Sequence, residues 1–308
     1  MQKQVLRAGA TVNLHPTLAA SLRRQESPSP NDWEATFRTM VLYDLAADME
    51  LGFFLSYYRN FAIPSIAATL YRNGEIQERP MKRSYDTAIV IYELIASGLD
   101  SDRGQSMVAL LNRAHRNVPG SPDDYLYVLL TLLVVPIRWV QHHAWRQPTG
   151  AELAAASRFF AELGARMNIN GMPDTYAEAE RFFDQYEATH VSASIEGQKL
   201  MDATVQVFQS RLPLPLRPFA ARMISVMLAD DRLVGALGLP RSGRGSRATL
   251  GIILTVRNGL RRRRHMNRKP HFTPGKAGSS LYPGGYSLDQ IGPVKVPDPS
   301  TFQSNELS

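Results

Sequence analysis

Residues 121–146, SPDDYLYVLLTLLVVPIRWVQHHAWR, carry the reading that sets the fold. Residues 125–135 form an apolar run broken by one threonine, without the strict alternation of a half-buried strand. A helix of that run is too short to cross a bilayer, which needs about 20 apolar residues. The run ends at Pro136 and Arg138. It therefore reads as a buried core helix, kinked near Pro136.

The flanking sequence is helical in both directions. Residues 24–32, RQESPSPND, form a loop, after which Asn31 or Asp32 caps a helix with Trp33, Phe37, Met40 and Val41 at helical spacing. That helix is expected to run on to Pro64. Further helices end at Asn73-Gly74, begin near Pro80 and end at Gly98, and begin at Ser101 and end at Pro119-Gly120. Thr149 with Glu152 forms a capping-box pattern, and Asp174 or Thr175 starts another helix in the same way. No strand alternation or internal repeat stands out. The fold class is all-α. The expected organisation is an N-terminal segment at 1–32, a helical domain at 33–240, a basic amphipathic segment at 241–264 and an irregular Pro/Gly/Ser-rich tail at 265–308.

The 308 residues, 44% hydrophobic, suffice for one large core or two modest ones. With no cysteine, disulfides, thiolate nucleophiles and cysteine-ligated metals are excluded. No signal peptide is read at the start, and a cytoplasmic location is the expectation. The formal charge of +7 is uneven: residues 257–269, RNGLRRRRHMNRK, hold seven arginines and lysines and no acid. Leu250, Ile252, Ile253, Leu254 and Val256 precede that cluster, so 249–264 reads as an interfacial helix on an anionic membrane surface, placing the protein peripherally at a membrane. A solvated basic tail is the plain alternative. Nucleic acid ranks behind both, because no base-reading motif accompanies the arginines.

Two helices carry chemistry. In LNRAHRN, residues 111–117, Val108, Leu111 and His115 share a stripe, so His115 is expected to face the core. An ordinary satisfied histidine is one reading; a metal or haem ligand is the other. On the preceding helix Arg83, Asp86 and Thr87 continue the stripe of Val90, Ile91 and Leu94. They are either an Arg83–Asp86 ion pair with Thr87 bonded back to the Arg83 carbonyl, or a small polar island in an apolar pocket. Glu187 and His190 have the i,i+3 spacing of di-iron bundles, but no second Glu-x-x-His occurs. His142 and His143 point apart on their helix.

KRSYDTAIV, LNRAHRNV, DDYLYVLLTLLVVPIRW and WRQPTGAEL, in that order, resemble the catalytic domain shared by MpaB-type oxygenases and the latex clearing proteins, or rubber oxygenases. The likeness covers about residues 51–187 and is stronger to the MpaB branch. It implies a single globin-like helical domain with a haem-sized pocket and one haem b. His115 would be the axial ligand to iron. Arg83 and Thr87 match an Arg-x-x-Lys-Thr motif on the distal side. Asp86 stands where the rubber enzymes have lysine, a departure from the pattern. The resemblance thus implies Arg83, Asp86 and Thr87 as catalytic residues, with Arg83 and Arg116 beside His115 as cofactor contacts. Arg72, Arg138 and Arg146 are further candidates to pair with propionates. The implied reaction uses dioxygen to cleave a carbon–carbon double bond in an apolar, isoprenoid or lipid-like substrate. Two other readings stand beside it: a non-enzymatic helical protein that binds lipid or docks on membranes, and a non-haem iron protein.

Overall fold

The computed structural model describes residues 32–262, 269–276 and 281–292. The described residues form thirteen α-helices and no strand; the nearest approach to one is an isolated bridge between Thr273 and Lys276. Residues 1–31 and 263–268, which hold nearly all of the N-terminal segment and half of the run of four arginines, lie outside them, as do 277–280 and 293–308.

The central element is the helix of the opening stretch, α7 (Pro122–His143). Ser121 caps it, accepting from the Asp124 N–H, while the Asp124 carboxylate accepts from the Ser121 N–H. By length and composition it could cross a membrane, but 67% of its most apolar window is buried inside the protein. It is the core helix the sequence suggests, and it continues as helix through Pro136. The reason lies on α2 (Ala46–Arg59): Gly52 packs directly on Pro136, so close that a Cβ at position 52 would lie 2.3 Å from the proline Cα. The missing side chain lets two main chains cross where one of them has no N–H to offer.

The expected long helix up to Pro64 is broken. The segment from α1 (Trp33–Thr39) widens into a π-turn, Met40–Asp44, before α2 begins. Leu45 leaves helical geometry, its N–H donating to the Met40 carbonyl at 3.0 Å. Packing explains the break. The Trp145 indole N–H donates to the Asp44 carbonyl at 3.2 Å, and Arg146 binds the Asp44 carboxylate at 2.8 Å. The far end of the α7 region thus takes up polar groups of the interruption.

The remaining helices follow the caps read from sequence. Pro64 opens α3 (Pro64–Arg72), and Gly74, at φ 71°, turns the chain into the single turn α4 (Glu75–Glu78). Next come α5 (Pro80–Ser97) and α6 (Asp102–His115), the latter capped by Ser101. Thr149 and Thr175, with Glu152 and Glu178, cap α8 (Gly150–Arg166) and α9 (Tyr176–His190). Then follow α10 (Ile195–Arg211), a 3₁₀ turn at Leu214–Phe219, α11 (Ala220–Leu228), α12 (Asp231–Ala236) and α13 (Arg244–Arg262). Helix α2 packs on α7, α1 on α8, and α5 against both α6 and α10. The aromatic centre includes Phe37 with Phe159, ring centroids 4.9 Å apart, and Tyr127 stacked on Tyr186 at 4.6 Å. In the C-terminal part, the described residues 269–276 and 281–292 hold only a 3₁₀ turn, Leu288–Gln290, and lie against α5.

Candidate functional site: the last turn of α6 and the facing turn of α5

His115 ends α6, where chain direction and capping bring it beside the loop after α8. It is half-buried, not enclosed in the core as its stripe suggests. Its Nδ1 lies 2.8 Å from the Leu111 carbonyl. A carbonyl only accepts, so Nδ1 carries the proton and Nε2 holds a lone pair. Among the described residues nothing hydrogen-bonds Nε2. Burial holds the imidazole below its usual pKa; the Leu111 bond opposes this, and the positive charge of Arg83 adds to it. The ring is thus a neutral donor fixed in one tautomer.

Beside it opens a cavity of about 520 Å³, within the range of small-molecule pockets, about 300–1,000 Å³. Asn112, His115, Arg116, Tyr125, Met167 and Ile169 are among its walls. The Tyr125 hydroxyl donates to the Val118 carbonyl at 2.7 Å, and its ring meets His115 edge-on with centroids 6.3 Å apart. Asn168, at φ 56°, ends α8 in the left-handed position usually taken by glycine, and the Ile169 N–H returns to the Gly164 carbonyl at 2.9 Å. That cap turns Met167 and Ile169 toward the cavity.

The structure treats the three α5 residues differently. Arg83 donates to the Thr87 hydroxyl, which in turn donates to the Arg83 carbonyl at 2.8 Å. Both are half-buried, and the Arg83 charge reaches His115 as well as Tyr57 on α2, although neither Arg83 nor Thr87 lines the cavity. The Tyr57 hydroxyl is buried without a hydrogen bond among the described residues. Asp86 does not join them. It binds Lys82 at 2.5 Å, the Tyr282 hydroxyl at 2.7 Å and the Gly292 N–H at 2.9 Å. The expected Arg83–Asp86 pair is not formed, and Asp86 is not part of a polar island facing His115. Asp86, three residues on from the arginine and so on a neighbouring part of the same α5 face, is taken instead by Lys82 one turn back and by the C-terminal segment that covers it.

Of the other arginines, Arg138 is committed to Glu180 and Asp184, and Arg146 to Asp44 and Glu152. Arg116 and Arg72 are exposed, and Arg116 reaches the cavity. Glu187 is buried by Arg59, at 2.6 Å, and by the Tyr127 hydroxyl at 2.9 Å, while His190 stacks on Tyr186. His143 packs on the Trp139 ring, centroids 4.2 Å apart. Among the described residues no three His, Asp or Glu converge as ligands.

Sequence reasoning missed the fastening of the C-terminal segment. Glu93, fully buried, binds Arg103 at 2.5 Å, the Gly275 N–H at 3.1 Å and the Tyr286 hydroxyl. With Asp86 it makes two carboxylates seven residues apart on α5, met by two tyrosines four residues apart. Those spacings were visible; their pairing across nearly two hundred residues was not.

An all-α domain with a single pinned imidazole at a cavity wall is the class these observations define. The sequence matches the family described as ER-bound oxygenase mpaB/B′/rubber oxygenase, catalytic domain, over residues 40–258, and the chain belongs to that family. It is 27% identical over 218 residues to the ER-bound oxygenase mpaB′ of Penicillium brevicompactum, covering 65% of this chain and 51% of the relative. To the ER-bound oxygenase mpaB of Penicillium roqueforti (strain FM164) it is 26% identical over 198 residues, covering 58% of this chain and 66% of the relative. The chain thus spans about half the length of the mpaB′ relative. A latex clearing protein solved in its closed state shares the fold, with a TM-score of 0.53 at 15% identity over 82% of this chain and 75% of that one.

Proposed function

We propose that this chain is a haem b-dependent oxygenase that uses dioxygen to cleave a carbon–carbon double bond of an apolar, isoprenoid or lipid-like substrate. The supporting observation is the state of His115: Nδ1 is held by a backbone carbonyl and Nε2 is left bare at the edge of a cavity. A porphyrin supplies four of the ligands to iron and asks the protein for one or two, so a lone imidazole suffices. A site built from protein ligands alone needs several that converge, which disfavours the non-haem iron reading. The haem, when bound, supplies the activation of dioxygen. Overall one alkene and one dioxygen give two carbonyl groups, with no outside reductant.

The chain's own groups do the rest. The Leu111 carbonyl fixes the His115 tautomer and raises its basicity as a donor. Arg83, steered by Thr87, is a fixed positive charge beside the site, suited to a developing negative charge or to a propionate. Arg116 at the cavity wall is suited to a propionate. Asp86 drops out of the chemistry and serves the fold. The ER-bound relatives support a working place at a membrane, with 249–264 as the membrane-facing segment on the cytoplasmic side.

The test is a spectrum of protein expressed with ample haem. A Soret band near about 400 nm is expected, since haem ligated by histidine absorbs there. His115→Ala should abolish it, while His143→Ala and His190→Ala keep it. A colourless protein, or a band indifferent to His115, would remove the proposal and favour a passive lipid-binding protein.

A further inference from the structure

Helix α13 is turned inside out. Thr249, Ile252, Ile253, Val256 and Leu260 form one stripe at helical spacing, and it faces solvent: Ile252 is 66% and Val256 60% exposed. Leu250, Leu254 and Arg257 lie on the opposite, inward side. Arg257 reaches the buried Asp48 at 2.6 Å and the His143 carbonyl at 3.1 Å, and Asn258 donates to that same carbonyl at 2.8 Å. Of the aliphatic residues expected on an interfacial face, Ile252, Ile253 and Val256 look out, whereas Leu250 and Leu254 turn inward beside an arginine that anchors the helix.

A second apolar feature stands nearby. Residues 213–219, PLPLRPF, are all exposed, with Leu214 at 74% and Phe219 at 54%. Helix α11 packs against both this turn and α13. Scattered exposed apolar side chains are ordinary, whereas seven on two elements packed against the same helix are not. The stretch of sequence that carries them is equally one-sided in charge. Residues 203–288 hold 15 of the 35 lysines and arginines and two of the 28 acids. An apolar surface framed by cations fits an anionic bilayer: aliphatic side chains enter the acyl boundary and arginines meet the headgroups. It suits nucleic acid poorly, because the outermost groups are hydrocarbon.

We infer that the Leu214–Phe219 turn and the outer stripe of α13 together form a single surface that docks on an anionic lipid bilayer. This deepens the membrane reading given above and is independent of the haem. The turn begins three residues after Arg211, whose guanidinium lies 4.8 Å from the centre of the Tyr85 ring, itself two residues from Arg83. The lipid surface thus adjoins the end of α5 that carries Arg83, which suits a substrate drawn from the membrane.

The experiment is co-sedimentation of the full chain with vesicles of phosphatidylcholine containing phosphatidylserine, and with phosphatidylcholine alone. Binding to the anionic vesicles is expected, weakened at high salt. Two double variants, Leu214→Ser with Phe219→Ser and Ile252→Ser with Ile253→Ser, should each lower partitioning about tenfold or more. Both pairs are exposed, so the Soret band and thermal midpoint should not move. His115→Ala should lose the band and keep the vesicles, which separates failure of the haem reading from failure of this one. No vesicle binding, or binding that both double variants leave intact, overturns the inference. So does a dimer in light scattering that the variants convert to monomer, which would make a second copy the occupant. Retention of single-stranded RNA in place of vesicles would overturn it as well.

Discussion

The Tyr282 hydroxyl donates to the Asp86 carboxylate at 2.7 Å, joining residues 196 apart in the chain. Asp86 is 3% exposed and also holds Lys82, one turn back on its own helix, and the Gly292 N–H, so two of its three partners lie outside that helix. Asp86→Ala should destabilise the fold by about 3 kcal/mol, because a half-buried lysine and two donors lose their acceptor. Tyr282→Phe should cost about 1 kcal/mol. Urea unfolding checks both, and equal effects from the two would contradict this account. If the proposed haem is bound, neither change should remove the Soret band, since Asp86 does not line the cavity beside His115.

The same segment carries a pH signature. His271 lies 3.1 Å from Glu50, and that bond raises the His271 pKa and lowers that of Glu50. The raised histidine stabilises the fold below pH about 6.5 and loses that contribution as pH rises through its folded value. The lowered glutamate stabilises above pH about 4.5 and loses it as pH falls through its own folded value. Residues 269–276 should therefore be most protected between those limits and loosen as pH rises through the raised folded value of His271. Hydrogen exchange read across pH tests this, and His271→Gln should flatten the alkaline side.

His115 behaves oppositely. Its pKa is held down by burial, with Arg83 adding to the effect, so it stays neutral to a lower pH than a free histidine. Unfolded chains take up a proton near pH 6.5 while the folded ring does not, so this residue erodes stability as pH drops from there to its folded value. Arg83→Gln should move the His115 titration upward, read by NMR of the imidazole protons. No movement would mean that the two do not share a field.

At the crossing of α2 and α7, Gly52→Ala should destabilise by about 3 kcal/mol, as an added methyl must push Pro136 aside. Thermal unfolding gives the comparison, and a change under 0.5 kcal/mol would mean that the helices separate freely.

Much of this architecture was legible in the amino-acid order. Ser101, Thr149, Thr175 and Gly74 act where their caps and turns are local, because the bonds they make span three or four residues. The break at Met40–Asp44 was not legible, because it answers to Trp145 and Arg146 a hundred residues away. The site divides along the same line. The tautomer of His115 depends on Leu111, one turn back, whereas the fate of Asp86 depends on a tyrosine near the other end of the chain. Helical periodicity placed Asp86 beside Arg83 in number but could not tell which neighbour would claim it. It likewise found the stripe on α13 without revealing which side faces in, a choice made by Asp48.

The contact of Gly52 with Pro136 has a mechanical meaning. Where two backbones touch with no side chains between them, there is no soft layer to slide on, and α2 with α7 must act as a stiff spar. Any breathing that admits a bulky guest is then left to α5, α6 and the strap lying across them, so the exchangeable part of the molecule is its rim and the keel stays still.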